Sequence, residues 1–148
     1  MLMAITLVVL IIIVRPGQKD AAAIPEAVIK LANFTPYFYE GSIPGKFRAI
    51  KGTTTYAANV LVIRLANNKN QTIVMTQQAL PADLANTAIQ GTEVIEGAPG
   101  STTINVNEGR TTATLFSNDK KTLLIINTSD TIETSTIKEL LRALKPLR

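Results

Sequence analysis

This 148-residue chain contains no cysteine and no histidine. Without cysteine, a disulfide framework, a thiol nucleophile, an iron–sulfur cluster and a cysteine zinc site are all excluded. Without histidine, the chain lacks the commonest general base, the commonest metal ligand and the side chain that titrates near neutral pH. We therefore predict a protein with no cofactor and no metal.

Charge is scarce as well, since 18% of the residues are charged and 46% are hydrophobic. The 15 basic and 11 acidic residues give a net charge of +4 and are spread along the chain. Nucleic-acid binding usually needs a basic stripe, often with aromatic side chains. The carboxylates are scattered too, and no nucleophile elbow, phosphate loop or dinucleotide fingerprint occurs. We predict that the protein is not an enzyme and has no nucleic-acid partner.

Residues 1–14 form an uncharged apolar run in which only Thr6 is polar. As a helix the run would span ~21 Å at 1.5 Å per residue, which is less than the about 30 Å of a membrane core. We interpret it as a membrane anchor with further residues upstream. The residues assigned to the membrane are Leu2, Ile5, Leu7, Val8, Val9, Leu10, Ile11, Ile12, Ile13 and Val14.

Two other interpretations of residues 1–14 stay open. A signal peptide has an apolar core of this length, and three alanines at 21–23 suit a cleavage site, although no Lys or Arg precedes the run. A buried strand or helix is the third interpretation, because eight of the fourteen residues are β-branched. Against it, the polar stretch 15–20 separates the run from everything that follows.

The rest of the chain divides into a linker at residues 15–23 and a single mostly-β globular domain at residues 24–148. Alternating apolar and polar residues predict the strands. They fall at 46–51, 56–66, 71–77, 92–96, 102–107, 111–116, 121–127 and 131–134.

Two helices flank the predicted strands. Pro25 and Glu26 begin a short one, and Thr136 with Glu139 forms a capping box for a closing helix that Pro146 ends. We predict an α+β fold, an antiparallel meander of about seven strands with the N-terminal and C-terminal helices packed on one face.

Aromatic side chains are few, and four of the seven lie close together at Phe34, Tyr37, Phe38 and Tyr39. Two prolines and a glycine in residues 33–44 exclude a long helix or a central strand there. We expect this loop to fold its aromatics over one end of the core. The alternative is that the four residues form the lip of an apolar ligand groove.

Several patterns occur in a characteristic order. The first is Phe34-Thr-Pro-Tyr37, followed by Gly41 and Pro44, and the others lie at 73–77, 104–109, 113–115, 123–126 and 138–144. This order resembles an uncharacterised family of bacterial membrane-anchored extracytoplasmic domains. That family is similar in architecture to half of the lipoprotein-carrier and RseB-like fold, whose curved sheets bind lipid or acyl chains. The resemblance implies a domain outside the membrane and implies no catalytic residues.

We therefore predict a non-catalytic accessory or sensory domain, tethered to membrane lipid at the cell surface or in the periplasm, that binds a protein partner or an apolar ligand. Arg15 and Lys19 follow the apolar run and by themselves would place the domain in the cytoplasm, so its position outside rests on the resemblance.

The alternative is a subunit of a pilus-like filament, self-associating through residues 1–14. Bacterial type IV pilins have a glutamate at the fifth position of that helix, where this chain has Ile5.

Overall fold

The computed structural model describes residues 24–85, 93–129 and 131–147. The predicted anchor at 1–14 and the predicted linker at 15–23 lie outside the described residues. The described chain is mostly antiparallel β-sheet with a few helices, which confirms the α+β class.

Three helices and ten strands make up the described chain. The helices are α1 (Glu26–Leu31), α2 (Ala82–Ala85) and α3 (Thr134–Ala143). The strands are β1 (Tyr37–Tyr39), β2 (Arg48–Ala49), β3 (Thr55–Ala57), β4 (Val60–Ala66), β5 (Thr72–Ala79), β6 (Glu93–Val94), β7 (Gly100–Asn107), β8 (Arg110–Ser117), β9 (Thr122–Thr128) and β10 (Leu144–Pro146).

The main sheet is not a simple meander. Its strands lie in the order β2-β4-β5-β9-β8-β7-β6, with β3 also beside β4, and every pair is antiparallel. Two meanders, β3-β4-β5 and β6-β7-β8-β9, therefore meet where β5 pairs with β9. The chain leaves the middle of the sheet after β5 and returns at the far edge as β6. A second, two-stranded sheet joins β1 to β10.

The core lies between one face of the main sheet and α3. Burial alternates along β4, where Leu61, Ile63 and Leu65 are buried, as expected for a strand with one face on the core. The α3 residues that complete the same hydrophobic cluster are Ile137, Leu140 and Leu141. Val28 of α1 belongs to it as well.

The predicted capping box at the start of the closing helix is wrong. The N-cap residue is Glu133, three positions before Thr136, and it makes no side-chain capping bond, so the helix begins at Thr134. Thr136 lies inside the helix and is 8% exposed. The predicted strand at 131–134 does not form, because Ile132 is buried in the core cluster and leads directly into the helix.

The end of the closing helix also differs from the prediction. The helix ends at Ala143, and Leu144 turns into an extended conformation with φ −64° and ψ 130°. The backbone then forms β10 along β1, where Leu147 N donates to Pro36 O at 2.8 Å. Backbone pairing with a distant segment therefore ends the helix before Pro146 does.

One predicted strand is divided by a turn. Residues 56–66 form β3 and β4, because Ala58 and Asn59 take φ values of 49° and 61°, the left-handed conformations of a tight hairpin turn. The predicted strand at 46–51 is reduced to β2. Within the three described stretches, no helix is both long enough and apolar enough to cross a bilayer.

Candidate functional site

A hydrogen-bonded polar cluster of five residues contains Asp119, Ser117, Thr35, Lys121 and Thr122. The Asp119 carboxylate accepts hydrogen bonds from Ser117 Oγ at 2.5 Å, Thr35 Oγ1 at 2.7 Å and the Lys121 backbone N–H at 3.0 Å. Thr122 N donates to Ser117 Oγ at 2.9 Å, and Thr122 Oγ1 donates to the Thr35 carbonyl at 2.7 Å. This Asp119 cluster joins the segment before β1 to the turn between β8 and β9.

Two titratable groups at the Asp119 cluster have shifted pKa values. Burial acts to raise the pKa of Asp119, but hydrogen bonds from Ser117, Thr35 and Lys121, with the Lys121 charge, outweigh it and lower the pKa below its ordinary value. Burial, and then the negative charge of Asp119, raise the pKa of Tyr37, against an opposing hydrogen bond with Ser117. Asp119 is therefore a weak base, Tyr37 stays neutral, and Ser117 is only 3% exposed.

Gln77 makes a buried polar contact to the same segment. Its Nε2 donates to the Tyr37 carbonyl at 2.7 Å, and its Oε1 accepts from the Tyr37 backbone N–H at 2.7 Å. The side chain is fully buried. The Gln77 amide pairs with the backbone N–H and carbonyl of Tyr37 as the backbone of a neighbouring strand would. We therefore assign Gln77 and the Asp119 cluster a structural role.

A cleft of about 500 Å³ lies between the loop before β2, the turn between β4 and β5, and the start of α3. Pro44, Phe47 and Ile132 give it apolar walls, and Lys69, Gln71 and Glu133 contribute polar groups. The lining carries one cation and one carboxylate, so the cleft has no strong preference for either charge. It contains no pair of acidic groups, and no group of three metal-ligating residues occurs in the described parts of the chain.

The face of the main sheet opposite α3, called the outer face here, has an apolar centre. Side chains in directly paired positions point to the same side of a sheet, and the register therefore groups the residues of this face. Its half-buried central residues are Val60, Val62, Val74, Thr76, Thr103, Thr112, Thr114, Phe116 and Ile125, and Leu123 is buried among them.

Three exposed arginines border one end of the outer face. Arg64 lies on β4 opposite Val74. Arg48 lies on β2 opposite Ala66, which is two positions after Arg64 on β4. Arg110 lies on β8, two positions before Thr112. No Asp or Glu occupies the outer face of strands β4, β5, β7, β8 or β9. The outer face therefore combines an apolar centre with a positively charged end.

The four aromatics proposed as a groove lip pack largely into the body of the domain. Phe34 and Tyr37 are buried, and Phe38 and Tyr39 are partly buried against the core cluster, with their ring centroids 4.5 Å apart. Tyr39 Oη donates to the Phe47 carbonyl at 3.0 Å. None of the four lines the cleft described above, and a role as a groove lip stays a prediction.

Sequence reasoning missed the Asp119 cluster, the Gln77 contact and the arginine end of the outer face. The bonds among Ser117, Asp119, Lys121 and Thr122 are local, two to five positions apart. Thr35 is 84 to 87 positions from its partners, and Gln77 is 40 positions from Tyr37, so no local pattern predicts those contacts. The alternation within each strand did predict which residues of that strand share a face. Which residues of other strands lie beside them depends on the order of the strands in the sheet. No family model, curated protein or solved structure matches this chain.

Proposed function

We propose that this chain is a non-catalytic binding domain, tethered to the outside of a membrane by residues 1–14, whose outer face binds a protein partner. The observation that carries the proposal is the composition of that face. Apolar residues and threonines occupy its centre, while Arg48, Arg64 and Arg110 lie at one end. Such a surface fits a partner that presents an apolar patch beside acidic side chains.

The mixture of side chains at the centre of the outer face favours a protein over a lipid tail. Thr76, Thr103, Thr112 and Thr114 lie among the valines and Ile125. Protein interfaces are about as polar as the rest of the surface, whereas small-molecule pockets are lined mainly by apolar and aromatic groups. The apolar ligand of the sequence prediction is therefore the second candidate occupant of the same face.

The tether and the accessory or sensory role rest on the sequence. Residues 1–14 are uncharged and apolar except for Thr6, and the non-catalytic assignment likewise follows from the sequence prediction. The position outside the membrane follows the resemblance to extracytoplasmic domains. A tethered domain whose outer face binds a protein would recruit that protein to the cell envelope or sense its presence there.

Photo-crosslinking in the producing cells tests the outer face directly. A benzophenone amino acid replaces Thr114 at the centre of the outer face, and in a control chain it replaces Asn68 in the exposed turn between β4 and β5. We expect a discrete protease-sensitive adduct from position 114 and none from position 68. Arg64→Glu should reduce the adduct, whereas Lys51→Glu, the same charge change on an exposed turn, should not.

Two results would contradict this assignment of the outer face. Equal adducts from positions 114 and 68, or no adduct from either, would remove the outer face as the binding surface. An adduct whose added mass is that of a lipid would replace the protein partner with an apolar ligand.

The pilus-like filament remains the alternative function. It makes a different prediction, because residues 1–14 would then pack against copies of themselves and not against lipid. Electron microscopy of the producing cells with an antibody against the chain separates the two proposals. Labelled filaments support the alternative, and label confined to the cell boundary supports the tethered domain.

A further inference from the structure

The cleft at the start of α3 carries one positive and one negative side chain on its walls. Lys69 comes from the turn between β4 and β5, and Glu133 is the N-cap residue of α3. Both residues are exposed, and they do not form an ion pair with each other or with another described residue. The cleft therefore presents both signs of charge to a molecule that enters it.

Hydrogen bonds hold the turn that carries Lys69. Asn67 Oδ1 accepts from the backbone N–H groups of Lys69 and Gln71, both at 3.0 Å. Asn67 Nδ2 donates to Gln71 Oε1 at 2.8 Å, and Gln71 Nε2 donates to the Thr131 carbonyl at 2.9 Å. The β4–β5 turn is thus joined to the segment before α3, so the wall with Lys69 and the wall with Glu133 are fixed relative to each other.

Apolar side chains form the floor of the cleft. Phe47 and Ile132 line it and are 3% and 6% exposed, and the exposed Pro44 stands at its rim. Gly45 lies beside them with φ 82°, and a Cβ at this position would be 2.8 Å from Phe47 Cε2. Glycine therefore lets the loop before β2 approach the ring closely, which closes this side of the cleft.

We propose that this cleft binds a zwitterionic molecule with an apolar side chain, either a free α-amino acid or a short peptide. The carboxylate of the ligand binds Lys69, its ammonium group binds Glu133, and its apolar side chain contacts the floor. The volume of about 500 Å³ lies within the range of small-molecule sites. Each charge of such a ligand meets the opposite charge on the protein, and this complementarity gives the cleft its specificity.

Ligands of other charge types fit the cleft less well. An anion at Lys69 would share the cleft with the Glu133 carboxylate, and a cation at Glu133 would share it with the Lys69 ammonium group. Each would therefore meet repulsion as well as attraction. A neutral apolar molecule would displace water from both charged groups without replacing their hydrogen bonds. A zwitterion avoids both penalties.

The cleft is separate from the outer face. None of its lining residues belongs to that face, and Ile132, Phe47 and Thr136 place it on the side of the sheet that packs against α3. The domain would thus have a small-molecule site in addition to the surface proposed for a protein partner. Loss of one of the two sites leaves the other unaffected.

Titration of the full chain in detergent micelles, followed by the NMR shifts of its backbone amides, tests the site. Leucine or leucyl-leucine should shift the amides of Gln71, Thr131 and Glu133 saturably and leave Asn118, in the turn between β8 and β9, unchanged. N-acetyl-leucine lacks the ammonium group, and leucinamide lacks the carboxylate. Each should bind about three- to tenfold more weakly than leucine, because one charged contact is lost.

Two variants assign the ligand groups to their partners. Lys69→Gln should remove the preference for leucine over leucinamide and keep the preference over N-acetyl-leucine. Glu133→Gln should do the reverse, because each substitution removes the partner of one ligand group only. Lys51→Gln and Glu96→Gln, the same changes at exposed positions away from the cleft, should leave both preferences intact. A general loss of structure would weaken all four ligands alike.

The two zwitterions distinguish the sources of the ligand. Tighter binding of leucine assigns the cleft to free amino acids, and tighter binding of leucyl-leucine assigns it to short peptides. Absence of a saturable shift with both would overturn the site. Equal binding of all four ligands would overturn it as well, because apolar contact alone would then account for the affinity.

Discussion

At the scale of single residues, side chains from the sheet hold the aromatic segment in place. Asp119 accepts from Thr35, and Gln77 pairs with both backbone groups of Tyr37. The Gln77 contact is buried, and a buried polar contact is costly when one partner is removed, whereas Asp119 is exposed. The segment from 34 to 39 is therefore fixed to the sheet by polar groups as well as by its aromatic rings.

Gln77→Leu should destabilise the fold by about 2–4 kcal/mol, because it leaves the buried N–H and carbonyl of Tyr37 without partners. Gln78→Leu is the matched control on the outer face of the same strand, where Gln78 is half-buried, and should change stability by less than about 0.5 kcal/mol. Urea titration followed by circular dichroism measures both. Equal losses for the two variants would contradict the role given to Gln77.

Asp119 gives the fold an acid-dependent stability. Its pKa is lowered in the folded state, so the folded protein binds the proton less well than the unfolded chain. The contribution of Asp119 to the free energy of unfolding is fully present above its pKa in the unfolded chain, about 4. It is lost as the pH falls through the lower pKa of the folded state. The stability difference between the native chain and Asp119→Asn should therefore be constant above about pH 5 and shrink below pH 4.

The matched control for this pH effect is Glu96→Gln, since Glu96 is exposed. Thermal unfolding measured from pH 3 to pH 7 should show a parallel profile for Glu96→Gln and a flatter one for Asp119→Asn. A profile for Asp119→Asn that runs parallel to the native chain would show that the carboxylate contributes nothing through its charge.

At the scale of elements, α3 closes the core against the inner face of the sheet. Ile137, Leu140 and Leu141 are fully buried on one side of the helix, while Arg142 is exposed and pairs with Glu139. The helix makes no side-chain capping bond at its start. Its position is therefore determined by apolar packing and not by local signals at its ends.

Leu141→Ala should cost about 2–5 kcal/mol in unfolding free energy through lost burial and a residual cavity. Arg142→Ala, at the next position, removes only an exposed ion pair and should cost no more than about 0.5 kcal/mol. Chemical denaturation at neutral pH compares them. A loss above about 2 kcal/mol for Arg142→Ala would show that surface charge, and not the packed face, holds the helix.

The elements that alternate in sequence were predicted, and those that depend on distant partners were not. Strands β4, β5, β7, β8 and β9 follow from the alternation of apolar and polar residues. The pairing of β1 with β10 joins segments more than 100 residues apart, and three-residue strands have too few positions to show a period. The prediction of a capping box at Thr136 was wrong because the helix begins at Thr134 and Thr136 lies within its first turn.

At the scale of the whole molecule, the two faces of the sheet have different roles. The inner face and α3 form the core, and the outer face carries apolar residues, threonines and three arginines. Sequence alone could not join Arg48, Arg64 and Arg110, because their proximity depends on the register of strands far apart in the chain. The sequence contributes the apolar run that we propose as the tether.

The central claim, a tethered domain outside the membrane, is tested most directly by the accessibility of one introduced cysteine. The full chain with Asn68→Cys carries its only thiol in the exposed turn between β4 and β5. A membrane-impermeant maleimide is applied to intact producing cells, with lysed cells as the reference, and the labelled chain is located by fractionation. We predict full labelling of intact cells, with the chain in the membrane fraction. Labelling only after lysis, or a labelled chain free in the medium, would contradict the account.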